Sequence, residues 1–217
     1  MLYSYMKLNY RLNVFLKIVF LLVINPIFYI GVEVKIPVQT IYVEDFYLKK
    51  NPDLEELFKN KRKELYKYFY EKGIADGQSA SPAFDIKYYL ESNIDLKNTF
   101  GENYKAGYEH FLQYGKYEGR DLSPVFDLGF YIKNNPDVAN TYPNNTDMIM
   151  DHFLRHGMNE GRPSSPHFNL EVYKTKNEDL KDICQNGNKD YYYHYCIYGK
   201  NEGRLATFED RHYINFY

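Results

Sequence analysis

The chain has no tryptophan, only two cysteines, and a formal net charge of just -2 over 217 residues. Positive and negative residues are interspersed and no basic stripe stands out, which removes the electrostatic support for nucleic-acid binding. No Gly-x-Gly-x-x-Gly or phosphate-loop motif occurs, and the D-x-[DN]-x-[DN]-G spacing of a calcium loop is missing. No catalytic signature stands out. The excess is in tyrosine, with 25 Tyr beside 15 Phe. A tyrosine buries its ring while its hydroxyl stays wet, which suits a thin fold whose side chains are half covered. The composition, 44% hydrophobic and 26% charged, is that of a folded protein with a sizeable core.

A block of sequence returns every 42 residues. Gly73, Gly115, Gly157 and Gly199 keep that spacing, as do Gly77, Gly119, Gly161 and Gly203, and Tyr47, Tyr89, Tyr131 and Tyr173. Self-similarity at a fixed period marks a stack of one supersecondary unit. The copies run over 42–83, 84–125, 126–167 and 168–207, and a partial fifth over 208–217 begins at Phe208. In the copy 84–125, Asp85 is placed to cap a helix whose face carries Ile86, Tyr89 and Leu90. Asp127 and Asn169 take the cap position in the next two copies. Asn-Pro-Asp at 51–53 and 135–137 bends, stops or restarts that helix. A second helix carries Tyr104, Tyr108, Phe111 and Leu112 at i, i+4, i+7 and i+8. Gly115 falls where a left-handed cap is expected, and Gly119 ends a further turn. Ser-Pro at 81–82, 123–124 and 165–166 then breaks the chain. The expected fold is all-α: four helix hairpins, each of two helices of about 8–14 residues, stacked as a short solenoid. The first copy, with Tyr42 for Phe and Gln78 for Arg, reads as a cap.

Residues 1–33 carry Lys7, Arg11 and Lys17, then an apolar run from Ile18 to Val32 broken by Asn25-Pro26. A basic flank before an apolar core predicts a secretory signal or an uncleaved anchor, followed by a linker over 34–41. The span from Val14 is about 19 residues, marginal for a bilayer. A buried strand or helix of the soluble domain is the plainer alternative. The charge bias puts the repeats on the non-cytosolic side, secreted or membrane-anchored, with membrane contact only through residues 12–32.

Repetition separates architecture from chemistry, because a catalytic residue is needed once and an architectural one in every copy. Asn51, Asn93, Asn135 and Asn177, and Asp53, Asp95, Asp137 and Asp179, fit side-chain bonds to loose backbone amides. Arg120, Arg162 and Arg204 read as bridges to an acid or helix-end carbonyl of the adjacent unit, with an anion-binding ladder as the alternative. His110, His152 and His194 lie on the order of 10 Å apart in a helical stack, too far to share one zinc ion. Cys184 stands where other copies have Phe58, Phe100 and Tyr142, and Cys196 where they have Tyr70, Leu112 and Leu154. Two losses of bulk in one copy make Cys184–Cys196 a candidate disulfide, against two reduced core thiols. Asn144-Asn145-Thr146 is a candidate N-glycosylation site at Asn144.

Written as Phe-Asp-x-x-x-Tyr, Asn-Pro-Asp-Val/Leu and His-Phe-Leu-x-Tyr/His-Gly-x-x-Glu-Gly-Arg, the unit resembles a repeat of bacterial secreted and cell-surface proteins. The same repeat occurs in proteins of large DNA viruses, where it can accompany glycosyltransferase domains. Phe126-Asp127, Asn135 to Val138 and His152 to Arg162 match best, and the likeness spans about 42–207. It implies an all-helical module appended to something else, and it carries over no catalytic residues. The expected function is a non-enzymatic interaction or structural module without cofactor or metal, its partner a protein or a glycan. The alternative is a glycan-binding or glycosyltransferase-accessory unit. A small hydrolase would require a deep pocket of non-repeated acids or histidines.

Overall fold

The computed structural model describes residues 41–208. The N-terminal segment 1–33, the linker up to residue 40 and the fifth unit beyond Phe208 lie outside the described residues. The described chain is helical, and its only β features are isolated bridges, among them Ser81–Phe84, Ser123–Phe126 and Ser165–Phe168 around the Ser-Pro turns.

Each copy contains three helical pieces rather than two. The first has α1 (Glu44–Lys50), α2 (Pro52–Leu57) and α3 (Arg62–Tyr68). The second has α4 (Ile86–Ser92), α5 (Ile94–Phe100) and α6 (Tyr104–Gln113). The third has α7 (Leu128–Asn134), α8 (Pro136–Thr141) and α9 (Thr146–His152). The fourth has α10 (Leu170–Lys176), a 3-10 stretch over Glu178–Asp182, and α11 (Asn188–His194). Asp85, Asp127 and Asn169 cap as expected, each side chain accepting from the backbone N–H three residues on. The break that makes three pieces is the invariant asparagine. The Asn93 amide donates 2.8 Å to the Tyr89 carbonyl and 3.1 Å to the Asp121 carbonyl. It thereby ends α4 and ties it to the closing loop. Asn135 and Asn177 repeat both bonds. Pro52 and Pro136 restart the chain at the first helical turn, where a missing N–H costs nothing.

A ring trio fills each unit. Phe84 stacks on Phe111 with centroids 3.9 Å apart, and Tyr89 meets Phe111 edge-on at 6.0 Å. Phe126, Phe153 and Tyr131 repeat the arrangement, as do Phe168, Tyr195 and Tyr173. Each such pair adds about 0.5–1.5 kcal/mol beyond the buried area. Neighbouring units join through buried hydroxyls and rings. The Tyr108 hydroxyl donates 2.8 Å to the Gln78 carbonyl, and Ser123 and Ser165 donate to the Pro82 and Pro124 carbonyls. Phe153 of the third copy packs edge-on against Tyr192 of the fourth at 5.8 Å.

The path also turns back on itself. Lys189 of the fourth copy reaches Asp45 of the first at 2.8 Å, and Lys49 reaches Asp190 at 3.1 Å. The Tyr193 hydroxyl donates to Asp45 at 3.0 Å, and its ring meets Phe46 edge-on at 5.0 Å. Lys200 of the fourth copy lies 4.7 Å over the Tyr88 ring of the second. The surfaces used here, α1 against α11, differ from those joining consecutive copies.

Candidate functional site

The polar groups of each unit converge on one tyrosine. Tyr89, Tyr131 and Tyr173 are fully buried. Their hydroxyls meet the Nδ1 atoms of His110, His152 and His194 at 2.8, 2.9 and 2.8 Å. The invariant Gly115, Gly157 and Gly199 sit directly against these hydroxyls, and a Cβ at any of the three would overlap the tyrosine oxygen. This corrects the expectation of a left-handed cap at Gly115. The left-handed residues are the other series, Gly77, Gly119, Gly161 and Gly203, with φ of 68, 64, 69 and 66°. Around the close approach the helix widens to a π turn in three copies, Phe69–Gly73, Phe153–Gly157 and Tyr195–Gly199. The second copy instead uses a 3-10 turn, Gly115–Tyr117.

An ionic cluster lies over each tyrosine–histidine pair. Arg120 holds Asp95 through two nitrogens at 2.9 and 2.8 Å, Glu118 at 2.6 Å and the Asn93 amide oxygen at 3.3 Å. Arg162 and Arg204 hold the equivalent acids. All partners belong to the same unit as the arginine, so the arginine does not reach the adjacent unit as its position in the sequence suggests. The invariant asparagine thus binds carbonyls with its nitrogen and the arginine with its oxygen. Bonding to Arg120 holds Asp95 below the usual carboxylate range. For Arg120 itself burial opposes the charge, but the bonds to Asp95 and Glu118 outweigh it and raise its pKa.

The histidines are held neutral. Burial lowers the pKa of His110, and this outweighs the attraction of Glu118, 4.0 Å from Nε2. His152 and His194 shift the same way for the same first cause. Burial also raises the phenol pKa of Tyr89, Tyr131 and Tyr173. A neutral imidazole bonded to an un-ionised phenol is a fixed pair, in which Nδ1 is taken up by the tyrosine. Each histidine serves its own tyrosine, and no group of three or more His, Cys, Asp or Glu placed to hold a metal ion occurs among the described residues.

The aromatics one helical turn further on are exposed. Tyr114, His156 and Tyr198 occupy equivalent positions, and their rings lie 5.7, 5.5 and 5.6 Å from His110, His152 and His194. Tyr114 is 43% and Tyr198 52% exposed, and His156 is exposed as well. Tyr117, beside Tyr114, is 62% exposed. The motif holds these positions as Tyr/His, and their exposure is what the structure adds. The other sequence candidates lie elsewhere. Cys184 is buried and Cys196 half-buried, both as free thiols. Asn144 is exposed in a left-handed conformation, φ 56°, between α8 and α9. Among the described residues no helix is long and apolar enough to cross a membrane.

Compared with known protein families, curated proteins and solved structures, the chain matches none.

Proposed function

We propose that this chain is a non-enzymatic binding module, a short solenoid of four helical units that engages a partner protein through its exposed aromatic positions. One observation carries the reading. The repeated tyrosine–histidine pairs and arginine–acid clusters find their partners inside their own units, while Tyr114, His156 and Tyr198 stand exposed beside them. Exposed tyrosines are favoured at protein interfaces because they supply much contact area for few rotatable bonds. The basic and apolar layout of residues 1–33 supports export or anchoring, with the units on the non-cytosolic side. The test is recovery of partners from the native source with the wild-type chain and with Tyr114→Ala/His156→Ala/Tyr198→Ala. The variant is expected to lose specific partners while keeping its far-UV circular dichroism. Identical recovery refutes the reading.

A glycan-binding role is the second reading. Tyr114 and Tyr117 are both exposed, and Glu118 follows Tyr117 in the chain. Aromatic faces with adjacent acceptors suit sugar rings and their hydroxyls. A glycan array probed with the wild-type chain and Tyr117→Ala separates the two, since no signal on any glycan removes this role.

A further inference from the structure

The first and fourth copies meet although two copies separate them in the chain. In an array whose units touch only their neighbours, an outermost unit leaves one face uncovered and opens before the middle does. Here the first copy is covered by the fourth. Phe46 on α1 is fully buried, whereas Tyr88 and Phe130, which hold the same place in the second and third copies, are half-buried. The Tyr193 ring on α11 packs edge-on against Phe46 at 5.0 Å and is itself buried. Tyr193 stands where the other copies have the charged Lys67, Glu109 and Asp151, so only the fourth copy offers a ring at this place.

Polar groups close the same contact. The Tyr193 hydroxyl donates to Asp45, and Lys189 pairs with the same carboxylate. Asp190 is buried. One of its oxygens accepts from the Asn186 backbone N–H at 2.9 Å and from the Asn186 amide at 3.0 Å, and the other takes the Lys49 ammonium of the first copy at 3.1 Å. Without Lys49 the fourth copy would hold a buried carboxylate with no counter-charge from the first. The fourth copy also rests on the second, where Lys200 lies 4.7 Å over the Tyr88 ring.

We infer that the contact of α1 with α11 is a clasp that joins the outer copies to the middle ones as one cooperative unit, so that the array does not fray from its first or fourth copy. The buried ring pair and the buried carboxylate carry the clasp, and the exposed pair of Lys189 with Asp45 adds little. Asp45 and Tyr193 lie 148 residues apart. Ordering the copies between them removes most of the entropy of closing so long a loop, so the clasp and the middle copies support one another.

The test is hydrogen exchange of the full chain, read by mass spectrometry on peptides covering α1, α7 and α11. In the wild-type chain the three helices are expected to exchange slowly and within about tenfold of one another. Tyr193→Ala should speed exchange in α1, at the other end of the array, by at least about tenfold while α7 changes less. Phe46→Ala should do the same to α11. Loss of local packing alone would speed only the helix that carries the substitution. Two results overturn the clasp: α1 or α11 exchanging more than about tenfold faster than α7 in the wild-type chain, or Tyr193→Ala speeding α11 while α1 keeps its wild-type rate. The wild-type comparison decides the matter even if a variant fails to fold.

Discussion

Adding one methyl group at Gly115 tests the central packing argument. A Cβ there overlaps the Tyr89 hydroxyl, lies 2.9 Å from its Cζ and 3.5 Å from His110 Nδ1. Tyr89 has no room to retreat, because it is fully buried and edge-on to Phe111. Either the ring shifts and breaks its 2.8 Å bond to His110, or the chain after α6 moves away. Overpacking of this kind costs about 1–3 kcal/mol. An orphaned buried hydrogen-bonding group adds about 1–3 kcal/mol. Gly115→Ala should therefore lose about 2–6 kcal/mol, a large share of a typical stability of about 5–15 kcal/mol. Gly119→Ala is the control. Its Cβ meets nothing within 4 Å, so the cost is only that of a left-handed alanine, about 1–2 kcal/mol. The assay is urea unfolding of both variants, repeated in a Tyr89→Phe background. Without the hydroxyl the worst overlap disappears, so Gly115→Ala should cost at least about 1 kcal/mol less there, while the Gly119→Ala cost should not change. Equal costs for the two alanines, or no relief from Tyr89→Phe, would refute the reasoning.

Three further outcomes follow from the same clusters. The histidine pKa values are depressed in the folded chain, so the unfolded state takes up protons first. Stability should be full above about pH 6.5, the unfolded histidine value, and should fall as the pH drops toward the folded values. Urea midpoints between pH 7.5 and 5 check this, and His110→Gln should flatten part of the slope. Asn135→Ala removes both bonds to the Tyr131 and Pro163 carbonyls at a buried site. It should cost about 2–4 kcal/mol, with Asn135→Asp no better because a carboxylate cannot donate. Arg162→Ala frees Asp137, which is largely exposed. It should shift the urea midpoint far less than Asn135→Ala does, because solvent screens such pairs.

The sequence displays the period, the helical faces and the caps at Asp85, Asp127 and Asn169 because these depend on residues within a few positions of one another. Both glycine series are visible in the sequence, but which of them turns left-handed is not: the helix-end pattern points to Gly115, and the structure puts the left-handed residue at Gly119. The role of Gly115 is hidden as well, since the atom that forbids a side chain there belongs to Tyr89, 26 residues earlier. Asn-Pro-Asp marks the joint between the first two helical pieces in two copies, but the bond that fixes it in the second copy, from Asn93 to the Asp121 carbonyl, spans 28 residues. The arginine partners were read into the neighbouring unit because a stack suggests contact between units. In the fold, Asp95 and Glu118 of the same copy are nearer. Asp45 and Tyr193 look like drift from the repeat until the fourth copy is seen against the first. Tyr114, His156 and Tyr198 stand in the motif as Tyr/His, but repetition does not tell which motif positions face solvent.

The first copy shows how far the motif can be rewritten. It has Tyr68 where the other copies place histidine and Gln78 where they place arginine. Yet Tyr47 keeps a partner, because its hydroxyl bonds the Gln78 side chain. The acceptor has migrated from the middle of the unit to its exit, and in that copy the glycine wall at Gly73 faces Gln78 Oε1 as well as the phenol. A duplicated unit can therefore shed its imidazole and its guanidinium in one exchange, provided an amide arrives to receive the proton. Descent from a common unit then leaves its trace in the buried phenol and the glycine beside it, while the groups that serve them turn over.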